Sequence, residues 1–137
     1  MSILYPSFAL ALLTFVVLFM IPIRRVAAIK KGQAKVSDYA LGEPANGPLS
    51  VQLPNRNLMN LLEVPVLFYV ASLMIYVTQS HTRAMLTLAW VYVGCRYIHS
   101  AIHLTYNHVT HRVAAFALSN LALIALWVLL AAQLLNR

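Results

Sequence analysis

No charged side chain appears before Arg24, and residues 3–29 read ILYPSFALALLTFVVLFMIPIRRVAAI. Three more largely apolar stretches follow, over about 56–78, 82–106 and 109–135. The hydrocarbon core of a bilayer is about 30 Å thick, and a helix needs about 20 mostly apolar residues to cross it. Four runs of this length predict an all-α integral membrane protein, a bundle of four transmembrane helices in one domain over 1–137. The first run is not a secretory leader by its pattern: its positive charges come after the apolar run, and no clear small-residue cleavage site follows. It reads as an uncleaved span with the N-terminus outside.

Only 9% of the residues are charged and 61% are hydrophobic, where a soluble domain carries about 25% charged residues. The net charge of +7 would suit nucleic acid in a soluble protein. Here it reads as topogenic charge and contact with anionic lipid, since no basic tail or nucleic-acid motif accompanies it. Arg24, Arg25, Lys30, Lys31 and Lys35 follow the first span, and Arg112 opens the fourth, whereas Arg83 and Arg137 fall on the other side. The positive-inside rule then places both termini outside and the first and third loops in the cytoplasm. The single Cys95 has no partner for an internal disulfide and reads as a packing residue. The segment KKGQAKVSDYALGEPANGPLSVQLPN, rich in glycine and proline, reads as a long first loop. TQSHT reads as a tight helix–helix turn, and NHVTH joins spans three and four.

Ionisable side chains inside hydrocarbon are costly and usually face a bundle interior or a cavity. On the second span Arg56, Asn60 and Glu63 fall at i, i+4 and i+7. On the third, Arg96, His99, His103 and Tyr106 fall at i, i+3, i+7 and i+10. Each set shares one helical face. Both faces lie toward the cytoplasmic ends of their spans and are expected to meet in one pocket, with Arg24, Arg25 and Arg112 closing it from the same side. A salt-bridge network holding Glu63 to Arg56 or Arg96 is the structural alternative. His108 and His111 read as solvated loop residues. Pro65 frees the Leu61 carbonyl and is expected to bend the second span beside Glu63. Several arginines and one carboxylate suit a ligand with more than one acid group and one amine. A tripeptide such as glutathione has that pattern, and a lipid headgroup fits the composition equally.

The stretch RNLMNLLEVP, Arg56 to Pro65, resembles the R-x3-N-x2-E signature of the MAPEG family, the membrane-associated proteins in eicosanoid and glutathione metabolism. RYIHSAIH, Arg96 to His103, resembles that family's third-helix pattern, and Arg112 stands where its fourth-helix arginine is expected. The resemblance spans essentially the whole chain. It implies a homotrimer of four-helix protomers with glutathione as cosubstrate between them. It also implies that Arg56, Asn60, Glu63, Arg96 and His99 grip the peptide, and His103 matches a position that is often tyrosine; Tyr106 is counted with them as a binding residue because it shares their helical face. Arg112 would lie near the sulfur, and Arg24 or Arg25 would match an arginine that the first helix contributes near the site. Some catalytic members carry a serine after the fourth-helix arginine and a tyrosine a turn on; here these positions are Val113 and Phe116.

The expected function is a glutathione-dependent transferase or peroxidase acting on lipophilic electrophiles that enter from the bilayer. Arg112 and Arg25 are the expected catalytic cations. A non-catalytic lipid- or thiol-binding membrane protein of the same fold is the alternative, favoured by Val113 and Phe116. A metal site on His99 and His103, spaced H-x3-H with Glu63 as a third ligand, is a further reading, disfavoured by the neighbouring arginines; no metal is expected. Composition and compact loops suggest a bacterial inner membrane, with lipid as a partner and the site toward the cytoplasm.

Overall fold

The computed structural model describes residues 2–40, 42–43 and 46–136. All regular structure in them is helical: α1 (Leu4–Lys30), a 3₁₀ turn over Val36–Tyr39, α2 (Leu49–Leu62), α3 (Pro65–Val77), α4 (Arg83–Leu104) and α5 (Val109–Leu135). Among the described residues three stretches are long and apolar enough to cross a membrane: α1, the run Leu49–Val77 that α2 and α3 share, and α5. The fourth helix, α4, is 22 residues long, about 33 Å at 1.5 Å per residue. Its polar side chains lower its apolarity, but they are turned inward. Tyr92, Arg96, His99, Ser100 and His103 are buried, while Trp90, Val91 and Ile98 are exposed. That inside-out pattern suits a helix whose outer face meets lipid.

Leu10 and Val17 of α1, Phe68, Ala71 and Ile75 of α3, Ala89 and Tyr92 of α4, and Leu126 and Leu130 of α5 build one core. Phe68 stacks on Tyr92 with ring centroids 4.6 Å apart. On α5, Ala115, Ser119 and Ala122 are buried at i, i+4 and i+7, the small-residue spacing that lets membrane helices approach closely. Tyr97 ties α4 to α1 by donating to the Ala9 carbonyl at 2.8 Å. The outer faces stay apolar, with Phe8, Leu12 and Phe19 on α1 and Leu121 and Ile124 on α5 exposed, as expected of helices that are hydrophobic all round.

Helix ends follow local chemistry. After α1, Gly32 takes φ +69°, and the amides of Gly32 and Gln33 bond back to Ile29 and Ala28. After α3, Gln79 adopts φ 54°, and the amides of Gln79 and Ser80 reach Tyr76 and Ile75. Both are Schellman motifs that satisfy orphan carbonyls, and the second makes TQSHT a tight turn.

Three sequence expectations need correction here. The helix expected to start near Arg56 starts at Leu49. Pro48 serves as its N-cap, Gln52 Nε2 donates to the Gly47 carbonyl, and Val51 and Leu53 are buried, so packing overrides the proline-rich reading. The bend expected at Pro65 is a full break: α2 stops at Leu62, Glu63 turns away at φ −87°, ψ −98°, and Pro65 occupies the first turn of α3, where its missing N–H costs nothing. The third inter-helix link covers residues 105–108 rather than NHVTH: α4 stops at Leu104, and α5 starts at Val109, where the fourth span was expected to start.

Candidate functional site

The break between α2 and α3 opens a cleft of about 410 Å³ at the end of the bundle where α4 turns into α5. Its polar wall is Arg56, Asn60 and Glu63 from α2, His99 and His103 from α4, and Arg112 from α5; Met59, Val113 and Phe116 supply the apolar side. A volume of this size lies within the range of small-molecule sites.

Each polar group is held in a definite way. Arg56 is exposed, and its Nη2 donates to Gln52 Oε1 at 3.1 Å. Asn60 Nδ2 folds back to the Arg56 carbonyl at 3.0 Å. Glu63, at the C-cap of α2, is exposed toward the cleft. His99 and His103 are almost wholly buried, with ring centroids 5.9 Å apart. His99 Nδ1 lies 3.0 Å from the Arg112 carbonyl. A carbonyl only accepts, so Nδ1 carries the proton, and a neutral His99 presents Nε2 as a lone-pair acceptor. Arg112 Nη1 donates to Asn107 Oδ1 at 2.7 Å, and Asn107 sits at φ 48° in the link before α5. Among the described residues His99 Nε2 and His103 Nδ1 find no hydrogen-bond partner. An unpaired buried polar atom costs about 1–3 kcal/mol, so these nitrogens are places where a ligand gains by binding.

The structure thus brings together Arg56, Asn60, Glu63, His99, His103 and Arg112. Four other expected site residues lie elsewhere. Arg96 is wholly buried behind the wall, with Nη2 donating to the Asn60 carbonyl and the guanidinium 5.6 Å from the Phe116 ring centroid. Tyr106 is exposed beyond the end of α4: the helix stops at Leu104, so the i+10 register is lost, and its hydroxyl lies 3.1 Å from His111 Nδ1. Arg24 and Arg25 are half-buried on α1 and do not line the cleft. The first loop folds back instead, setting the Tyr39 ring 5.0 Å from the Arg25 guanidinium. Among the described residues Arg56 bonds to Gln52 and Arg96 to the Asn60 carbonyl, and Glu63 interacts with Arg96 through its charge without an ion-pair contact. Among the described residues no three histidine, cysteine, aspartate or glutamate side chains cluster as metal ligands would.

Sequence reasoning missed Met59, Asn57, Ser100 and Asn107. Met59 stands three residues after Arg56 and four before Glu63, so the helical period could have placed it on the same wall. Asn57 and Ser100 pair in the interior, with Ser100 Oγ donating to Asn57 Oδ1 at 3.2 Å. No local signal marks that pair or the Asn107 contact.

A helical bundle with apolar outer faces and a cleft lined by both charged and apolar side chains fits a membrane protein. The MAPEG family model matches residues 3–132, nearly the whole chain, and the chain belongs to that family. No curated protein and no solved structure matches it.

Proposed function

We propose that this protein is a membrane-embedded glutathione-dependent transferase or peroxidase for lipophilic electrophiles, with α4 as the fourth crossing. One observation carries the reading: a single cleft joins cationic Arg56 and Arg112, anionic Glu63 and two acceptor-bearing histidines to an apolar wall of Met59, Val113 and Phe116. Arg56 suits a carboxylate, Glu63 an ammonium, and His99 Nε2 a donor N–H or S–H. Glutathione supplies the nucleophilic sulfur. A free thiol has a pKa of about 8.5 and only the thiolate attacks, so a fixed cation beside it favours the reactive form. Arg112 is that cation, steadied by Asn107. The exposed apolar wall lets an electrophile enter from the bilayer and be held beside the sulfur.

A homotrimer would set α1 of a neighbouring protomer against the open side of the cleft and bring Arg24 or Arg25 to it, Arg25 then sharing the catalytic role with Arg112. On this reading the cation-rich end faces the cytoplasm of a bacterial inner membrane, with both termini outside. Val113 and Phe116 leave their side of the cleft without a hydroxyl, and this favours a second reading, a lipid- or thiol-binding protein with no turnover.

The deciding experiment is conjugation of glutathione to chlorodinitrobenzene by the detergent-purified protein, wild type against Arg112→Ala. Loss of turnover with glutathione affinity and folding retained supports the transferase reading. Binding without turnover in the wild type supports the second reading. Equal turnover in both proteins removes Arg112 from the mechanism.

A further inference from the structure

The break after Leu62 leaves the C-terminus of α2 beside the cleft, with Leu61 buried and Leu62 and Glu63 exposed. The Glu63 amide reaches the Met59 carbonyl, but Pro65 has no N–H for Leu61, and the next amides, of Val66 and Leu67, donate to the Glu63 and Val64 carbonyls past the end of α2. The Asn60 carbonyl is met by a side chain instead, Arg96 Nη2. Arg96 is 0% exposed, and a wholly buried arginine is costly unless the structure needs it.

One nitrogen of Arg96, Nη2, has a defined task, while Nε and Nη1 find no hydrogen-bond partner among the described residues. Nη2 satisfies a carbonyl orphaned by the end of a helix. The guanidinium sets a cation at the negative end of the α2 dipole. Its other side lies near the Phe116 ring, a cation–π contact with α5. Arg96 therefore touches both walls of the cleft without entering it. One turn along the same seam the buried Asn57–Ser100 pair joins α2 to α4 again, so their register is fixed at two heights.

We propose that Arg96 is a positioning residue. It caps α2 at the break and thereby holds Asn60, Glu63 and Phe116 in place around the cleft, a different task from the ligand grip that the family pattern implies. The capping claim stands on this geometry; its consequence for the ligand rests on the glutathione reading above.

Amide hydrogen exchange of the full-length, ligand-free protein in detergent tests the cap. Arg96→Met should speed exchange across residues 59–67 about tenfold or more, the scale expected when a buried carbonyl loses its donor, and leave residues 120–132 unchanged. Pro65→Ala restores an N–H at the break and lets the helix heal, so the double variant R96M/P65A should regain protection there. Protection in R96M equal to wild type overturns the proposal, as does a double variant no better protected than R96M. If R96M does not fold, recovery of folding in the double variant supports the cap, and failure to recover overturns it.

Calorimetry with glutathione supplies the ligand readout. One carbonyl needs one donor, so Arg96→Lys should bind within about threefold of wild type while R96M is much weaker. Equal, large losses in both would mean that a guanidinium fork grips a carboxylate, and would overturn the positioning role. A wild type that binds no glutathione sinks the proposed function, while the exchange data still decide the cap.

Discussion

Glu63→Gln separates a residue kept for a ligand from one kept for the fold. Glu63 is an exposed carboxylate at the C-cap of α2. Its backbone amide bonds to Met59 at 3.1 Å, and glutamine keeps that bond and the side-chain volume. A negative charge at a helix C-terminus works against the dipole by about 0.3–1 kcal/mol at low salt. Arg96 at the same terminus offsets part of this, and solvent screens more. Removing the charge should therefore leave stability unchanged or raise it by up to about 1 kcal/mol. Binding should respond in the opposite sense. A hydrogen bond to a charged partner contributes about 1.5–3 kcal/mol, so losing the carboxylate that meets an ammonium should weaken glutathione about ten- to hundredfold. Thermal unfolding in detergent and isothermal titration of wild type and variant measure the two sides. A fall of several degrees in Tm would place Glu63 in a structural network and refute the reasoning. Unchanged affinity would refute the ammonium contact.

Asn107→Gly keeps the left-handed backbone at little cost but releases Arg112 Nη1; turnover should fall several-fold with Tm nearly unchanged, read by initial rates alongside a melting curve. Tyr92 is fully buried with its hydroxyl unpartnered among the described residues, so Tyr92→Phe should be neutral or stabilising by about 1 kcal/mol in thermal unfolding, and a clear loss of stability would show a hidden partner for that hydroxyl.

The apolar runs made the helices legible, because a lipid-facing helix needs length and apolarity and little else from its neighbours. The wall residues Arg56, Asn60 and Glu63, and His99 with His103, were legible from the helical period. That period gives direction but not depth. It put Arg96 on the right face and could not say that the side chain ends beneath a helix break. It also presumes that the helix continues, and Tyr106 lost its place when α4 stopped at Leu104. The start of α2 was obscured because Gly47, Pro48 and Pro54 punctuate a sequence whose helix is decided by burial of Val51 and Leu53. Where Arg25 turns depended on the fold of the long loop between Lys30 and Leu49, which no local pattern encodes.

Carbon-13 methyl spectra of methionine-labelled protein in detergent, titrated with glutathione, test the cleft most directly. Met59 lines it, while Met85 lies in the core and Met74 packs against that core, neither of them lining the cleft. Saturable movement of the Met59 methyl, identified by its absence in Met59→Leu, with Met74 and Met85 still, is the expected result. A titration in which Met59 stays fixed, or in which Met85 moves instead, would contradict a glutathione site between α2, α4 and α5.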